Sequence, residues 1–169
     1  MLTGKPPHLK AFDYLGLHRY FLTFCTFERH RGFEAADGVA LVRTQFRRTA
    51  LEQHFALLAY CFMPDHVHFL IEGLAEDSDG LRFIKTAKQY SGFYYQKSFG
   101  VKLWQRYGFE RVLRDDQDTL SVARYILENP IRAGLVKKVE DYPFLGSDVY
   151  STAAILEAIQ LNRGWYRSG

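Results

Sequence analysis

Two histidines near the middle of the chain, His66 and His68, are the residues whose types and spacing most directly suggest chemistry. They follow a Pro64-Asp65 turn and open an apolar run that is typical of a strand. Because alternate side chains of a strand point to the same face, the two imidazoles should lie side by side. Neighbouring imidazoles can supply two ligands to one divalent metal ion. A hydrogen-bonded pair with a purely structural role has the same spacing, so the dyad alone leaves both interpretations open.

A metal site with two histidines also needs a third protein ligand, and a nucleophile placed next to that ligand would complete the site. Asn129 is the candidate ligand, and Tyr125 is the candidate nucleophile. Residues four apart in a helix share a face. Among the eleven tyrosines, two have a metal-competent side chain four residues later: Tyr14, followed by His18, and Tyr125, followed by Asn129. The first pair spans a glycine outside any predicted helix, whereas the second ends a predicted helix. Tyr125 could be a nucleophile beside a carboxamide ligand, although an amphipathic anchor and a helix C-cap explain the same two residues.

The first half of the chain predicts three strands and one helix around the histidine pair. Residues 18–29 are rich in aromatic and β-branched side chains, residues 55–63 are almost wholly apolar, and residues 66–72 resume an apolar pattern after the turn, so each segment is predicted as a strand. Residues 39–54 place apolar side chains at a helical period. The second and third strands form an antiparallel hairpin across the turn.

The second half predicts three helices and one strand. Residues 81–99 form a helix, and residues 109–113 form a short fourth strand. A third helix carries Tyr125 and ends before Pro130, and a terminal helix covers residues 151–164. The order indicates an α+β fold: a ferredoxin-like sandwich (βαββαβ) with an antiparallel sheet, plus the helix that carries the tyrosine and a C-terminal helix.

Length and composition indicate one soluble globular domain in the cytoplasm. The 169 residues are 47% hydrophobic and 24% charged, and no stretch reaches the roughly 18 consecutive apolar residues of a spanning helix. The N-terminus lacks the apolar core of a secretory signal. Cys25 and Cys61 lie in separate apolar runs and are expected to be reduced packing residues. We expect a single domain over residues 1–169, with its core at about 17–145 and a C-terminal extension at 146–169.

Basic charge is concentrated in one segment. Residues 81–114 carry eight Lys and Arg against one acidic residue, whereas residues 57–80 carry five acids and no Lys or Arg. Basic charge interleaved with aromatic side chains suits a surface that neutralises phosphates and stacks on bases, although a solvated helix face with its aromatics in the core has the same composition. The candidate phosphate contacts are Lys85, Lys88, Arg106, Arg111 and Arg114. Trp104 is the candidate for stacking on an unpaired base, with a core position as the alternative.

Several of these segments together resemble a known family. Residues 63–71, MPDHVHFLI, resemble the HUH motif (His, hydrophobic, His) of the single-tyrosine transposases. Residues 103–115, 123–136 and 141–143 look like the REP-associated tyrosine transposase branch of that family. The resemblance covers roughly residues 17–145, and its motifs fall in the expected order on the expected elements. One departure is the Gly-Phe-Glu at residues 108–110, where the family usually has a short aromatic dipeptide before the Glu.

The resemblance implies a ferredoxin-like core, a divalent metal ion (Mg²⁺ or Mn²⁺), and cleavage and joining of single-stranded DNA at palindromic, REP-like hairpins. By position it implies Tyr125 as the nucleophile that forms a covalent 5′-phosphotyrosine, and His66, His68 and Asn129 as metal ligands. It also implies a nucleoid-associated monomer or homodimer. Two other functions stay open on the residues: a domesticated, non-cutting nucleic-acid-binding protein, and a metal-dependent hydrolase in which Tyr125 is structural.

Overall fold

The computed structural model describes residue 12 and residues 14–166, without the side chains of residues 117 and 162–166. Five strands and four helices are formed by the described residues. In chain order they are β1 Arg19–Cys25, α1 Ala36–Gln53, β2 Phe55–Met63, β3 His66–Gly73, α2 Gly80–Phe99, β4 Phe109–Val112, α3 Asp116–Arg132, β5 Leu145–Gly146 and α4 Thr152–Tyr166. Within this part of the chain, no helix is both long enough and apolar enough to cross a membrane.

The strands form one antiparallel sheet in the order β4-β1-β3-β2-β5. The first four strands have the order expected of a ferredoxin-like sandwich, and the two-residue β5 extends the sheet beyond β2. The predicted fold class is therefore confirmed. β3, which begins at His66, is the central strand, because β1 pairs with it on one side and β2 on the other.

Helices α1 and α2 cover one face of the sheet, which we call the α1/α2 face. Its core is aromatic: the Phe46 ring of α1 stacks on Phe69 of β3 with centroids 4.2 Å apart, and Phe83 of α2 contacts Phe46 at 6.2 Å. All three phenylalanines are fully buried. Close packing of this kind holds the four-stranded core together, since each buried aromatic contributes on the order of 3–5 kcal/mol.

Helices α3 and α4 cover the opposite face, which we call the α3 face. Ile126 and Leu127 of α3 pack against Leu70 of β3 and Cys61 of β2, and Ile155 of α4 joins the same cluster. This cluster is smaller and more aliphatic than the core of the α1/α2 face. It fixes α3 against the middle of the sheet, directly beside the start of β3.

The prediction that the third helix ends before Pro130 is wrong, because α3 continues through Pro130 to Arg132. Proline has a φ near the helical value, but it lacks the N–H that would bond to the carbonyl four residues earlier and its ring crowds that carbonyl, so other contacts must hold this turn together. The turn is closed beyond it: Ala133 N donates to the Asn129 carbonyl at 3.0 Å, and Leu135 N donates to the Pro130 carbonyl at 2.9 Å. The consequence is that Arg132 remains on the helix that carries Tyr125.

Two other boundaries differ from the sequence predictions. β1 ends at Cys25 rather than near residue 29, because its pairing with β3 stops where β3 begins, at the Cys25–His66 pair. The chain then turns sharply through Glu28 and Arg29, whose φ angles are +53° and +56°. α4 extends past Gly164 to Tyr166.

Candidate active site

The histidine pair lies at the start of the central strand and faces α3. His66 is paired in register with Cys25, and His68 is paired with Thr23. The two imidazole rings share one face, as the spacing predicts, with centroids 4.9 Å apart. His68 is 5% exposed, whereas His66 is half-buried at the edge of the site.

Each imidazole is held through its Nδ1 atom by a polar partner from the protein. Thr23 Oγ1 lies 2.8 Å from His68 Nδ1, and Asp65 Oδ1 lies 2.8 Å from His66 Nδ1. Within the described part of the chain, neither Nε2 atom has a hydrogen-bond partner. A hydroxyl or carboxylate on one ring nitrogen fixes the tautomer that leaves the other nitrogen as a ligand. This arrangement is typical of histidines that bind a metal through Nε2.

Asp65 is itself held in place by Arg29. Arg29 Nε donates to Asp65 Oδ2 at 2.9 Å, and the left-handed backbone at Arg29 brings its side chain back towards the turn. Burial alone would raise the pKa of Asp65, but the hydrogen bonds from His66 and Arg29 outweigh it and lower that pKa. Asp65 therefore stays ionised beside His66 at neutral pH.

His68 is neutral at physiological pH. Burial lowers the pKa of His68 from 6.5 to about 3, and electrostatic interactions with the neighbouring His66 and Arg132 act in the same direction. Only a neutral imidazole has a free lone pair for a metal. The protein thus keeps this side chain in its ligating form.

Tyr125 of α3 meets the histidine pair. Its ring centroid lies 5.7 Å from that of His68 and 5.8 Å from that of Phe21, which also contacts His68 at 5.4 Å. The Tyr125 side chain is nevertheless 47% exposed. Its hydroxyl makes no hydrogen bond to the described residues, so the phenol is held by its ring and its oxygen is available to a substrate.

Asn129 lies one helical turn after Tyr125 and points inward. Its Nδ2 atom is buried and has no hydrogen-bond partner among the described residues. A buried amide end without a partner is costly, so a position of this kind suits a ligand. Among the described residues, no three His, Cys, Asp or Glu side chains are grouped so as to hold a metal ion. A third protein ligand here would therefore have to be of another type, and a carboxamide is such a type.

A family model described as IS200-like transposase matches residues 15–129, a segment that contains the histidine pair, Tyr125 and Asn129. The chain belongs to this transposase family. Curated relatives support the assignment. A protein of Haemophilus influenzae, provisionally named a REP-associated tyrosine transposase, is 30% identical over 138 residues, which cover 74% of this chain and 77% of the relative. The REP-associated tyrosine transposase of Escherichia coli is 29% identical over 108 residues, covering 62% of this chain and 61% of that protein.

A solved structure confirms the fold of the family in this chain. It is that of a REP-associated tyrosine transposase bound to a REP hairpin, and it superimposes with a TM-score of 0.68 at 21% sequence identity, covering 82% of each chain. The resemblance to REP-associated tyrosine transposases predicted from the motifs is therefore confirmed. DNA transposition is the activity of the family, and this chain has the family's α+β fold.

Two residues of the candidate site were missed by sequence reasoning. Thr23 comes from an aromatic-rich strand, and only the pairing of β1 with β3 reveals its contact with His68. Arg132 follows Tyr125 by seven residues, and its guanidinium carbon lies 4.1 Å from the centroid of the Tyr125 ring. Seven residues are two helical turns, so this spacing was a usable signal that the predicted helix end at Pro130 concealed.

Three of the predicted DNA contacts lie around a groove between α2 and residues 105–110. Lys85 and Arg106 are exposed on its walls, and the groove has a volume of about 460 Å³. Lys88 is turned inward: its Nζ donates to the carbonyls of Gln105 and Arg106 at 3.2 and 3.4 Å, and burial lowers its pKa to about 8. Lys88 therefore anchors the loop in this structure, while Lys85 and Arg106 remain accessible.

The other two predicted basic contacts lie near the start of α3, on the side of Tyr125. Arg111 forms an ion pair with Asp118 at 3.0 Å, which neutralises part of its charge. Arg114 is exposed and forms no ion pair with the described residues. The structure thus divides the basic segment between two surfaces rather than bringing it to one.

The expected role of Trp104 in base stacking is corrected by the structure. Trp104 is 6% exposed, and its indole N–H donates to Ser91 Oγ at 2.9 Å. Its ring packs against Phe24 and Phe33, each with centroids 5.8 Å away. Because its faces are covered, Trp104 is a core residue that cannot stack on an unpaired base in this fold.

Proposed function

We propose that this chain is a metal-dependent single-stranded DNA endonuclease and strand transferase, with Tyr125 as its nucleophile. The observation that supports this most directly is the meeting of Tyr125 with His68 and His66, which come from separate elements of the chain. The phenol is half-exposed, and its hydroxyl has no partner among the described residues.

The donor types of His66, His68 and Asn129 suit a divalent ion. The free Nε2 atoms of His66 and His68 are two nitrogen ligands, and a rotation of the Asn129 amide exchanges its two ends and presents the oxygen from the same buried position. Imidazole with oxygen donors suits Mn²⁺, and the family resemblance also implies Mg²⁺. When bound, the ion supplies positive charge to a non-bridging oxygen of the scissile phosphate.

In the proposed reaction, Tyr125 Oη attacks the phosphorus of the scissile phosphodiester. A bond forms between Oη and phosphorus, the bond from phosphorus to the 3′-oxygen breaks, and the proton lost by the phenol is balanced by the one gained by the 3′-hydroxyl. The products are a 5′-phosphotyrosine and a free 3′-end. Because one phosphoester replaces another, rejoining needs no nucleotide cofactor. Phe21 and His68 contact the Tyr125 ring, with centroids 5.8 and 5.7 Å away, and so hold it beside the histidine pair.

The proposed substrate is a single-stranded or hairpin DNA with a REP-like palindrome. This rests on the names of the two relatives and on the DNA-bound structural neighbour. Lys85, Arg106, Arg111 and Arg114 are the proposed phosphate contacts, with Lys88 supporting the groove from inside. Each phosphate contact releases counterions, so affinity for the hairpin should fall steeply between low and moderate salt. An affinity that is flat over this range would contradict the proposed contacts.

Adduct formation is the experiment that tests the nucleophile. The protein is incubated with end-labelled hairpin DNA and Mn²⁺ or Mg²⁺, and the mixture is separated on a denaturing gel. We expect a protein–DNA adduct that disappears in Tyr125→Phe and on addition of a chelator. Tyr150→Phe, a change at another exposed tyrosine, is the matched control and should leave the adduct unchanged.

The other outcomes identify the competing functions. Metal-dependent cleavage that survives in Tyr125→Phe would indicate a hydrolase that uses water. Tight hairpin binding with no adduct and no cleavage would indicate a non-cutting binding protein. Either result overturns the proposed role of Tyr125.

A further inference from the structure

The last turn of α3 places a cation directly on the proposed nucleophile. The Arg132 guanidinium carbon lies 4.1 Å from the centroid of the Tyr125 ring, and an Nη2–H of Arg132 donates to the main-chain carbonyl of Tyr125. These two contacts orient the guanidinium against one side of the ring. Phe21 and His68 occupy other sides of it.

Arg132 differs from neighbouring arginines in having no carboxylate partner among the described residues. Arg124, on the same helix, is paired with Glu128 at 3.1 Å, and Arg29 is paired with Asp65 at 2.9 Å. Arginine has several N–H donors in a planar fork, and Arg132 uses one of its nitrogens in the contact with Tyr125. Arg132 is exposed, and its other N–H groups make no hydrogen bond to the described residues.

The positive charge of Arg132 lies close to the histidine pair. The Tyr125 ring that its guanidinium covers lies 5.7 Å from the His68 ring, measured between centroids. Arg132 is therefore part of the same electrostatic environment as the histidine pair. A phosphate that approaches the Tyr125 hydroxyl also approaches this guanidinium.

We propose that Arg132 binds a non-bridging oxygen of the scissile phosphate beside the Tyr125 ring. This inference rests on the proposed function of Tyr125 and adds a second cationic contact to the reaction. The planar fork of arginine matches phosphate geometry, and a stacked guanidinium is already ordered before the substrate binds. The contact would strengthen as negative charge develops on the phosphate oxygens.

The first test is the single-turnover rate of adduct formation. Removing one such donor slows related reactions by about 100- to 1000-fold, and we expect this loss for Arg132→Gln. Arg132→Lys keeps the charge but not the fork and should recover part of the rate. Arg124→Gln is the matched control on the same helix and should stay within about 3-fold of the parent, because its charge is already paired.

A second test separates phosphate binding from a role in holding the tyrosine. Hairpin binding is measured by fluorescence anisotropy in the Tyr125→Phe background, which cannot form an adduct. The DNA carries either the natural phosphodiester or a neutral methylphosphonate at the scissile position, mapped beforehand with the unmodified protein. Arg132→Gln should weaken binding of the phosphodiester by about 10-fold, in line with one charge-assisted contact, and leave methylphosphonate binding within about 2-fold.

Each outcome bears on the proposal. If Arg132→Gln weakens binding of both DNAs equally, Arg132 only positions Tyr125. If Arg132→Gln forms the adduct at the same rate as Arg124→Gln, Arg132 has no role in the reaction. Both results overturn the inference while leaving the nucleophile in place. If the parent protein forms no adduct with any hairpin, the proposed function fails first and the phosphate contact fails with it.

Discussion

The two faces of the sheet are built from alternate residues of the same strands, yet they differ in almost every property. On the α1/α2 face, Leu22, Phe62 and Phe69 are fully buried beneath two long helices. Residues of the same strands that point to the α3 face include Thr23 of β1 and His66 and His68 of β3. Helix α3 covers these side chains, and the ring of its own Tyr125 is partly exposed to solvent.

The comparison shows how one sheet can provide both stability and reactivity. The closed, aromatic face carries the larger cluster of buried apolar residues, so we expect it to contribute more to the stability of the sheet. The α3 face can then carry polar side chains that would be costly in a core, because each is satisfied by a hydrogen bond or left open to a ligand. Four predictions test this division, in decreasing order of expected effect.

The largest effect on stability is expected from the closed face. Phe69→Ala removes the ring that stacks on Phe46 at 4.2 Å, and we expect it to lower the free energy of unfolding by about 3–5 kcal/mol, measured in urea. Phe21→Ala, on the α3 face, should cost less because that side chain is partly exposed. It should instead slow adduct formation, since it removes the contact between Phe21 and Tyr125. Equal losses of stability would contradict the division.

The next effect concerns metal affinity on the α3 face. Thr23→Val keeps the shape of the side chain but removes the hydroxyl that holds His68 Nδ1. We expect the affinity for Mn²⁺ to fall by about 10- to 100-fold, as measured by calorimetric titration. Thr49→Val is the matched control, because the Thr49 hydroxyl is buried in α1 and donates to the Gln45 carbonyl at 2.9 Å. An unchanged affinity in Thr23→Val would sink the proposed role of this hydroxyl.

A smaller effect is expected from pH. The pKa of His68 is lowered from 6.5 to about 3 in the folded protein, so below pH 6.5 the unfolded chain binds a proton that the native state does not. Stability of the metal-free protein should therefore fall as the pH falls through this window, with a slope of order 1 kcal/mol per pH unit. Denaturant unfolding at pH values from about 7 to 5 measures it. In His68→Gln the slope should be shallower by this amount, and equal slopes would show that His68 titrates normally.

The smallest effect on stability is expected for Tyr125→Phe, the change with the largest expected effect on activity. Tyr125→Phe removes a hydroxyl that makes no hydrogen bond to the described residues, so the free energy of unfolding should change by less than about 0.5 kcal/mol. Thermal and urea unfolding check this. A clear destabilisation would indicate that the hydroxyl belongs to the fold and not to the chemistry.

Features that depend on neighbours in the chain could be predicted from the sequence. The strand bounds of β2, the turn at Pro64-Asp65 and the shared face of His66 and His68 follow from the two-residue period of a strand. The relation of Tyr125 to Asn129 follows from the period of a helix. The order of elements was enough to indicate the ferredoxin-like sheet, and the motifs were enough to indicate the transposase family.

Features that depend on contacts between distant parts of the chain could not be predicted from the sequence. Trp104 lies in a basic, aromatic segment that suits DNA binding, and only its packing against Phe24 and Phe33 shows that it belongs to the core. The contact of Thr23 with His68 joins residues 45 apart in sequence. Both facts arise from the way sheet and helices close on each other, for which the local pattern has no signal.

The candidate site itself combines the two kinds of information. The sequence alone determined which side chains have the chemistry, since imidazole, phenol and carboxamide groups are legible at their local spacings. Only the tertiary structure decided that Tyr125 meets His68 and that Arg132 stays on the helix beyond Pro130 to lie over the ring. The physical reason is that the contact of Tyr125 with His68 depends on the packing of α3 on the central strand. The position of Arg132 depends on the backbone hydrogen bonds that close the helix after Pro130.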